Sequence, residues 1–311
     1  MARLLTIVPE FWHFLLSFGV LGGASAALLF NPAVSAISHW FSAKRGLATG
    51  VACTAGGLGG LCFPLIYTFL TPKIGFGWST RIIGFISAAL AVPACLLLRK
   101  RLPPNRKGRA TVDFKALRDR RYAMTTAAVW LVEFAVFVPY TYICAYAIHR
   151  GLGTRSSYLM NVYLNAGAIP GRVLPGYVAD RFGTFNTMCI TTGACMTFVF
   201  ALWLPAGSNE GAVAAYSTLY GFWSGAAISL TPVCIGSVCN VEDYGKRIGT
   251  TFCISSFGAL TGIPIAGAIL NAGAGSYEGL ILFAGALYAL ALVAFVASRV
   301  LLGGWNIYTK V

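Results

Sequence analysis

Two charged residues stand alone inside long apolar stretches, and they are the first candidates for chemistry. Arg172 lies in the stretch 157–179, seven residues before its end. At a helical rise of about 1.5 Å per residue, that is a depth of roughly 10 Å. A guanidinium at the centre of a bilayer costs about 2.5–3.5 kcal/mol on an insertion scale, so it needs a partner or a polar cavity. Its planar donor fork suits a carboxylate. Two readings follow. Arg172 contacts an anionic solute, or it pairs with Asp180 or snorkels toward the near surface. Glu133 lies near the middle of the stretch 122–147 and is the only acidic residue well inside any apolar stretch. An intramembrane carboxyl can carry a proton by changing its protonation state. Glu133 is therefore a candidate proton relay or partner for Arg172, against a neutral, hydrogen-bonded structural role. Asn165 and Tyr142 are candidate solute contacts, with Asn31, Tyr140 and Thr141 as further cavity-lining groups. Each of these also fits an interhelical hydrogen bond.

Asp180, Arg181, Lys44, Arg45, Lys246 and Arg247 occupy short turns between apolar stretches. They suit gating and orientation better than solute contact, although a topology signal alone would also explain the Lys-Arg pairs. The run Gly56-Gly57-Leu58-Gly59-Gly60 lacks the spacing of a phosphate-binding loop and sits in mid-stretch, which points to close helix packing. The nine cysteines form no C-x-x-C pair, and His13, His39 and His149 have no carboxylate cluster around them. No metal site, disulfide framework or cofactor is expected, and nothing supports an enzyme.

The elements that must hold these residues repeat. Pro32, Lys44-Arg45 and Pro64 recur as Pro232, Lys246-Arg247 and Pro264, at offsets of 200, 202 and 200. The unit is apolar helix, basic turn, apolar helix, as in transporters built from duplicated halves. Composition agrees: 57% of residues are hydrophobic, only 10% are charged, and the mean hydropathy is +0.73. A soluble domain carries roughly 25% charged residues. The expected class is an all-α integral membrane protein whose main partner is the lipid bilayer.

A crossing helix needs about 20 apolar residues. Nine stretches qualify, at 14–38, 47–71, 80–98, 122–147, 157–179, 184–205, 211–239, 248–271 and 278–301. Arg3, the run Phe11–Leu21 and Ala24-Ser25-Ala26 mimic a signal peptide, but the apolar character continues to Ile37, too far for a cleaved segment. The net charge of +14 concentrates in one connection. Arg99, Lys100, Arg101, Arg106, Lys107, Arg109, Lys115, Arg118, Arg120 and Arg121 all fall there, without the groove and aromatic platform of a nucleic-acid binder. These residues share a side with Lys44-Arg45, Arg181, Lys246-Arg247, Arg299 and Lys310. Only Arg3, Lys73, Arg81, Arg150 and Arg155 face the other way. The richer side is expected in the cytoplasm, together with the C-terminus.

Several stretches carry a family resemblance. Gly176-Tyr177-Val178-Ala179-Asp180-Arg181-Phe182-Gly183 resembles the G-x-L-A-D-R-x-G loop of the major facilitator superfamily. Trp40 to Pro64 is similar to a signature of its monocarboxylate transporter branch. Asn165-Ala166-Gly167, Gly171-Arg172, Phe137–Tyr142, Lys246–Gly249 and Gly262-Ile263-Pro264 resemble fungal monocarboxylate transporter-like proteins. The resemblance implies a major facilitator-type bundle, with about nine helices here of an original twelve. It divides the chain into 1–98, a three-span remnant of an N-terminal half; 99–121, a basic central loop; 122–302, a six-helix half; and 303–311, a cytoplasmic tail.

The function that the resemblance implies is alternating-access transport of a small, monocarboxylate-like anion, coupled to protons, in the plasma membrane. It implies that Asp180 meets a neighbouring helix end and latches one state. That branch places an Asp four residues before the Arg on this helix, where Ala168 stands here. The spans missing from the pattern leave a second reading, a truncated chain that does not transport, inert or assembled with a longer partner.

Overall fold

Backbone amides in hydrocarbon must be satisfied within the chain, and helices do this locally. The computed structural model describes residues 11–99, 101, 112–306, 309 and 310, and no strand occurs among them. Arg3, Lys100, Arg106, Lys107 and Arg109 lie outside the described residues.

The helices are α1 (Phe11–Phe14), α2 (Gly22–Trp40), α3 (Arg45–Leu97), α4 (Arg120–His149), α5 (Thr154–Phe182), α6 (Thr184–Phe198), α7 (Glu210–Ser237), α8 (Tyr244–Ala272) and α9 (Glu278–Gly303). A π-helical turn, Leu15–Leu21, joins α1 to α2, and another, Val199–Trp203, extends α6. Hydroxyls inside these helices bond their own backbone. Thr68 donates to Pro64 O at 2.9 Å, and Thr192 to Met188 O at 2.9 Å. Side chains close two of the N-termini. Asp119 accepts from the Arg121 amide at 3.0 Å, and Asn209 from the Ala212 amide at 3.1 Å.

The 53-residue run of α3 is not straight. Gly75 has φ 80° and ψ 164°, a conformation open to glycine and foreign to a helix. Tyr67 Oη lies 3.1 Å from Thr80 Oγ1. Thirteen residues of straight helix would hold those positions roughly 20 Å apart. The run therefore folds back at Gly75, and its two arms correspond to the expected stretches 47–71 and 80–98. The end of the second arm returns to the end of α2, where Trp40 Nε1 donates to Arg99 O at 3.3 Å.

Seven helices among the described residues are long and apolar enough to cross a membrane, where nine stretches were expected. Two physical reasons account for the difference. The two arms of α3 count as one helical run. α5 falls outside the seven, and it carries Asn161, Asn165, Arg172, Asp180 and Arg181 along one helix.

Burial is uneven. In the most apolar window of α7, 78% of residues are buried, against 6% in those of α2 and α3. The core sits within α4–α9. Trp203 stacks on Tyr216 at 5.2 Å and Tyr216 on Tyr220 at 5.3 Å, while Tyr220 and Tyr288 join hydroxyls at 2.7 Å. Onto this body α2 packs against α8, and α3 packs against α5 and α7.

Close backbone approach fixes the helix crossings. A Cβ on Gly221 of α7 would strike the Leu164 carbonyl of α5. Gly153, before α5, has open space around it. We expect Gly221→Ala to cost about 1–3 kcal/mol of stability through overpacking. Gly153→Ala should leave it nearly unchanged. Thermal unfolding of both variants in detergent checks this, and equal midpoints would refute the crossing.

Candidate functional site

The candidate site grows from the contact between α3 and α5. A Cβ on Gly46 would lie 2.5 Å from Gly176 O, and one on Gly176 would lie 2.5 Å from Gly46 O. A Cβ on Gly50 would strike the Arg172 carbonyl. Bare backbone at these positions lets the two helices touch.

Touching helices bring Arg172 onto α3. The side chain is 7% exposed, and its Nη1 donates to Cys53 O at 2.5 Å. Gly56 makes the room, since a Cβ there would lie 2.5 Å from Nη1. Nε of Arg172 is buried and unpaired. Tyr140 of α4 reaches the same guanidinium, and its hydroxyl lies 3.4 Å from Ser224 Oγ of α7. Four helices thus converge on one cation. Asn165 lies two turns before Arg172, on the same face of α5. Its Nδ2 donates to Asn161 O at 2.9 Å and to Asn161 Oδ1 at 3.2 Å, and its Oδ1 faces Gly60. Gly57 of the glycine run faces Ile169, so Gly56, Gly57 and Gly60 form the surface on which α5 lies.

Two pairings considered for Arg172 do not form. Arg172 does not pair with Asp180, because Asp180 is held by α3 amides, as described below. Nor does it pair with Glu133. That residue is 7% exposed and forms no hydrogen bond or ion pair among the described residues. Among those residues no carboxylate lies within ion-pair distance of Arg172, whereas Lys246 and Asp243 do pair, at 2.8 Å. Tyr142 points elsewhere. Its hydroxyl donates to Ile263 O of α8 at 3.0 Å. The tyrosine beside Arg172 is Tyr140, two residues earlier in the same stretch and itself a cavity-lining candidate from the sequence.

The basic turns form a second arrangement at the Lys44 end of the bundle. Asp180 Oδ1 accepts from the Gly46 amide at 2.8 Å, and Oδ2 from the Leu47 amide at 2.9 Å. These amides open α3, whose own N-cap residue, Lys44, supplies no side-chain cap. A carboxylate there is favoured by the positive end of the helix dipole. Arg45 is the converse. Its Nη1 donates at 2.9 Å to Gly236 O, one residue before the end of α7, where the dipole is negative. Its guanidinium also sits 5.7 Å from the centre of the Tyr244 ring. The other basic groups stay local. Arg181 lies 4.5 Å over Tyr177 and Arg247 4.6 Å over Tyr122, while Lys44 is exposed. No cluster of three metal-ligating side chains occurs among the described residues, and all nine cysteines are free.

Comparison with known proteins accords with this geometry. The family model of the Major Facilitator Superfamily matches residues 1–236. The chain is 35% identical to the MFS-type transporter opdF of Penicillium oxalicum, over 98% of this chain and 72% of that one. It is 33% identical to the riboflavin transporter MCH5 of Saccharomyces cerevisiae, over 93% and 60%. It is 31% identical to the aspyridones efflux protein apdF of Emericella nidulans, over 96% and 61%. The chain thus spans only part of the length of each relative. In structure it is similar to the fucose:proton symporter FucP of E. coli, with a TM-score of 0.70 at 15% identity, over 89% of this chain and 74% of that one. At that identity the likeness is one of fold. The matched family model and the fungal relatives together establish that this chain belongs to the Major Facilitator Superfamily.

Proposed function

We propose that this chain carries a small, monocarboxylate-like anion across the plasma membrane by alternating access, coupled to protons. One observation carries the reading. Arg172 is a buried guanidinium at the contact of four helices, with a neutral carbonyl as its acceptor and a donor unpaired. An anion entering between α3, α4, α5 and α7 would supply the missing countercharge. The planar fork suits a carboxylate, and Asn165 and Tyr140 would line the way beside it. Tyr142, on α4 but turned toward α8, would act from the opposite wall.

In this reading the two arms of α3 and helix α5 each cross the bilayer, which makes nine crossings. The chain divides into 1–98, 99–121, 122–302 and 303–311, with the Lys44 end and the C-terminus in the cytoplasm. Rocking of α2–α3 against α4–α9 would open and close the path. Asp180 and Arg45 would hold the cytoplasmic side shut, each through a helix end. Relatives bear names as different as riboflavin transporter and aspyridones efflux protein, so the anion rests on Arg172 rather than on kinship. The fucose:proton symporter of similar fold lends proton coupling a precedent. Glu133, buried without a bonded partner, is the carrier proposed here.

Three outcomes are expected. In proteoliposomes offered a panel of small carboxylates, Arg172→Ala should abolish saturable uptake. Losing one side of a buried charge contact costs about 2–5 kcal/mol, more than tenfold in affinity. Arg172→Lys should keep a remnant, and unchanged anion uptake by Arg172→Ala would remove the carboxylate role. Glu133→Gln should lose uptake driven by a proton gradient yet keep solute exchange, and gradient-driven uptake at the original rate would rule out Glu133 as the carrier. Asp180→Asn should weaken the cytoplasmic closure by about 0.3–1 kcal/mol, the worth of one charge at a helix end. Maleimide labelling at Ser237→Cys in a cysteine-free background should then speed up about two- to fivefold. No change would mean that Asp180 holds nothing shut.

A further inference from the structure

A cavity lies away from the Arg172 site, at the same end of the bundle as the basic pairs. It is a cleft of about 900 Å³ between the end of α5, the start of α6 and the end of α9. That volume falls in the range that holds a drug-sized ligand. Its walls are apolar, with Phe182, Ile190, Val296 and Trp305 among them. Phe182 and Ile190 are exposed on helices that would otherwise meet lipid, and Trp305 is exposed in the turn after α9. Its polar end carries three cations, Arg181, Arg299 and Lys310, and among the described residues no acidic one lines it.

Arg299 is the informative member. It is 8% exposed, and its donors go to neutral acceptors. Nε donates to Asn186 Oδ1 at 2.6 Å, Nη1 to Gly304 O at 2.7 Å, and Nη2 to Asn306 O. These bonds fold the segment after α9 back over the cleft. Among the described residues no carboxylate balances this buried charge. Such a charge is costly in a medium of low dielectric unless an anion comes to it. Arg181 and Lys310 are exposed and free to approach the same anion.

We propose that this cleft binds an anionic phospholipid, its phosphate near Arg181, Arg299 and Lys310 and its acyl chains along Phe182, Ile190 and Val296. A free anion would use the cationic end and leave the apolar walls bare. A neutral lipid would leave Arg299 uncompensated. Only an anionic amphiphile satisfies both. The orientation proposed above puts the cleft against the cytoplasmic leaflet, whose lipids are the anionic ones. The proposal shares that orientation but is independent of the solute and of proton coupling. Trp305, 82% exposed, stands at the rim as an interfacial aromatic and as a built-in reporter.

The test uses the purified chain in detergent, titrated with brominated phosphatidylserine or brominated phosphatidylcholine. The quenching that disappears in Trp305→Phe is the signal of the cleft. We expect it at about tenfold lower mole fraction of phosphatidylserine or less, since each basic group near an anionic headgroup contributes roughly fivefold. Arg181→Gln combined with Lys310→Gln should bring the two lipids together, with the elution profile of the protein unchanged. Equal quenching by the two lipids in the unaltered chain would overturn the proposal. So would full displacement of the phosphatidylserine signal by millimolar inorganic phosphate, which would make the site one for a free anion. Because the measurement is made in detergent, it stands or falls apart from the orientation and from transport.

Discussion

The contact of α3 with α5 depends on the absence of side chains. Gly46 and Gly176 present their carbonyls to each other's Cα, and Gly50 faces the Arg172 carbonyl. In a bilayer the hydrophobic effect does not press helices together, so close van der Waals packing must do it. That approach then sets the charges. With the backbones in contact, Asp180 reaches the first amides of α3 and Arg172 reaches the Cys53 carbonyl. A Cβ at any of the three glycines would push the helices apart and unmake both arrangements together.

The two arrangements differ in strength, and the difference suits a moving part. The body of α4–α9 is held by stacked and buried aromatics, Trp203, Tyr216, Tyr220 and Tyr288, and by the glycine crossings of α5 with α7. Aromatic pairs of this kind add about 0.5–1.5 kcal/mol each beyond their buried area. Beyond glycine packing, the seam between α3 and that body is held by a carboxylate on one helix end and a guanidinium on another. Each is worth about 0.3–1 kcal/mol, rising to roughly 2 kcal/mol where partly buried. A seam of that strength can close a path and still open when a ligand shifts the balance by a few kcal/mol.

Much of the frame was legible in the residues. The doubled Pro and Lys-Arg spacing marks helix, basic turn, helix, and the structure shifts each basic pair to the start of a helix: Lys44 precedes α3 and Arg45 opens it, while Lys246-Arg247 lie in the first turn of α8. The seven-residue spacing of Asn165 and Arg172 puts both on one face of α5, and they do face the same glycine run. What failed to show was anything set by the rotation of one helix against another. Periodicity ranks the faces of a helix but does not say which neighbour each face meets. Tyr140 and Tyr142 differ by two residues, a rotation of about 200°, and so address α7 and α8 respectively. Glu133 is separated from Arg172 for the same reason. α5 was legible as the stretch 157–179, and the polarity that leaves it out of the seven apolar helices is what makes it the helix of interest.

The carbonyl that holds Arg172 has a consequence for charge. Had an Asp stood at Ala168, one turn before it, the pair would carry no net charge, and an entering anion would have to break an ion pair first. A neutral carbonyl acceptor leaves the full positive charge in place. In the proposed cycle the solute itself then completes the neutralisation, at the seam where α3 meets α5. Binding would compete with the Cys53 contact, since the same guanidinium nitrogens serve both. An anion that draws Arg172 off Cys53 would remove one of the few bonds between α3 and the body, while Asp180 and Arg45 still hold the far end. The coupling of binding to opening would thus lie in a shared donor rather than in a relay of charges. In that cycle the solute's negative charge, more than its shape, would be the property that the site senses.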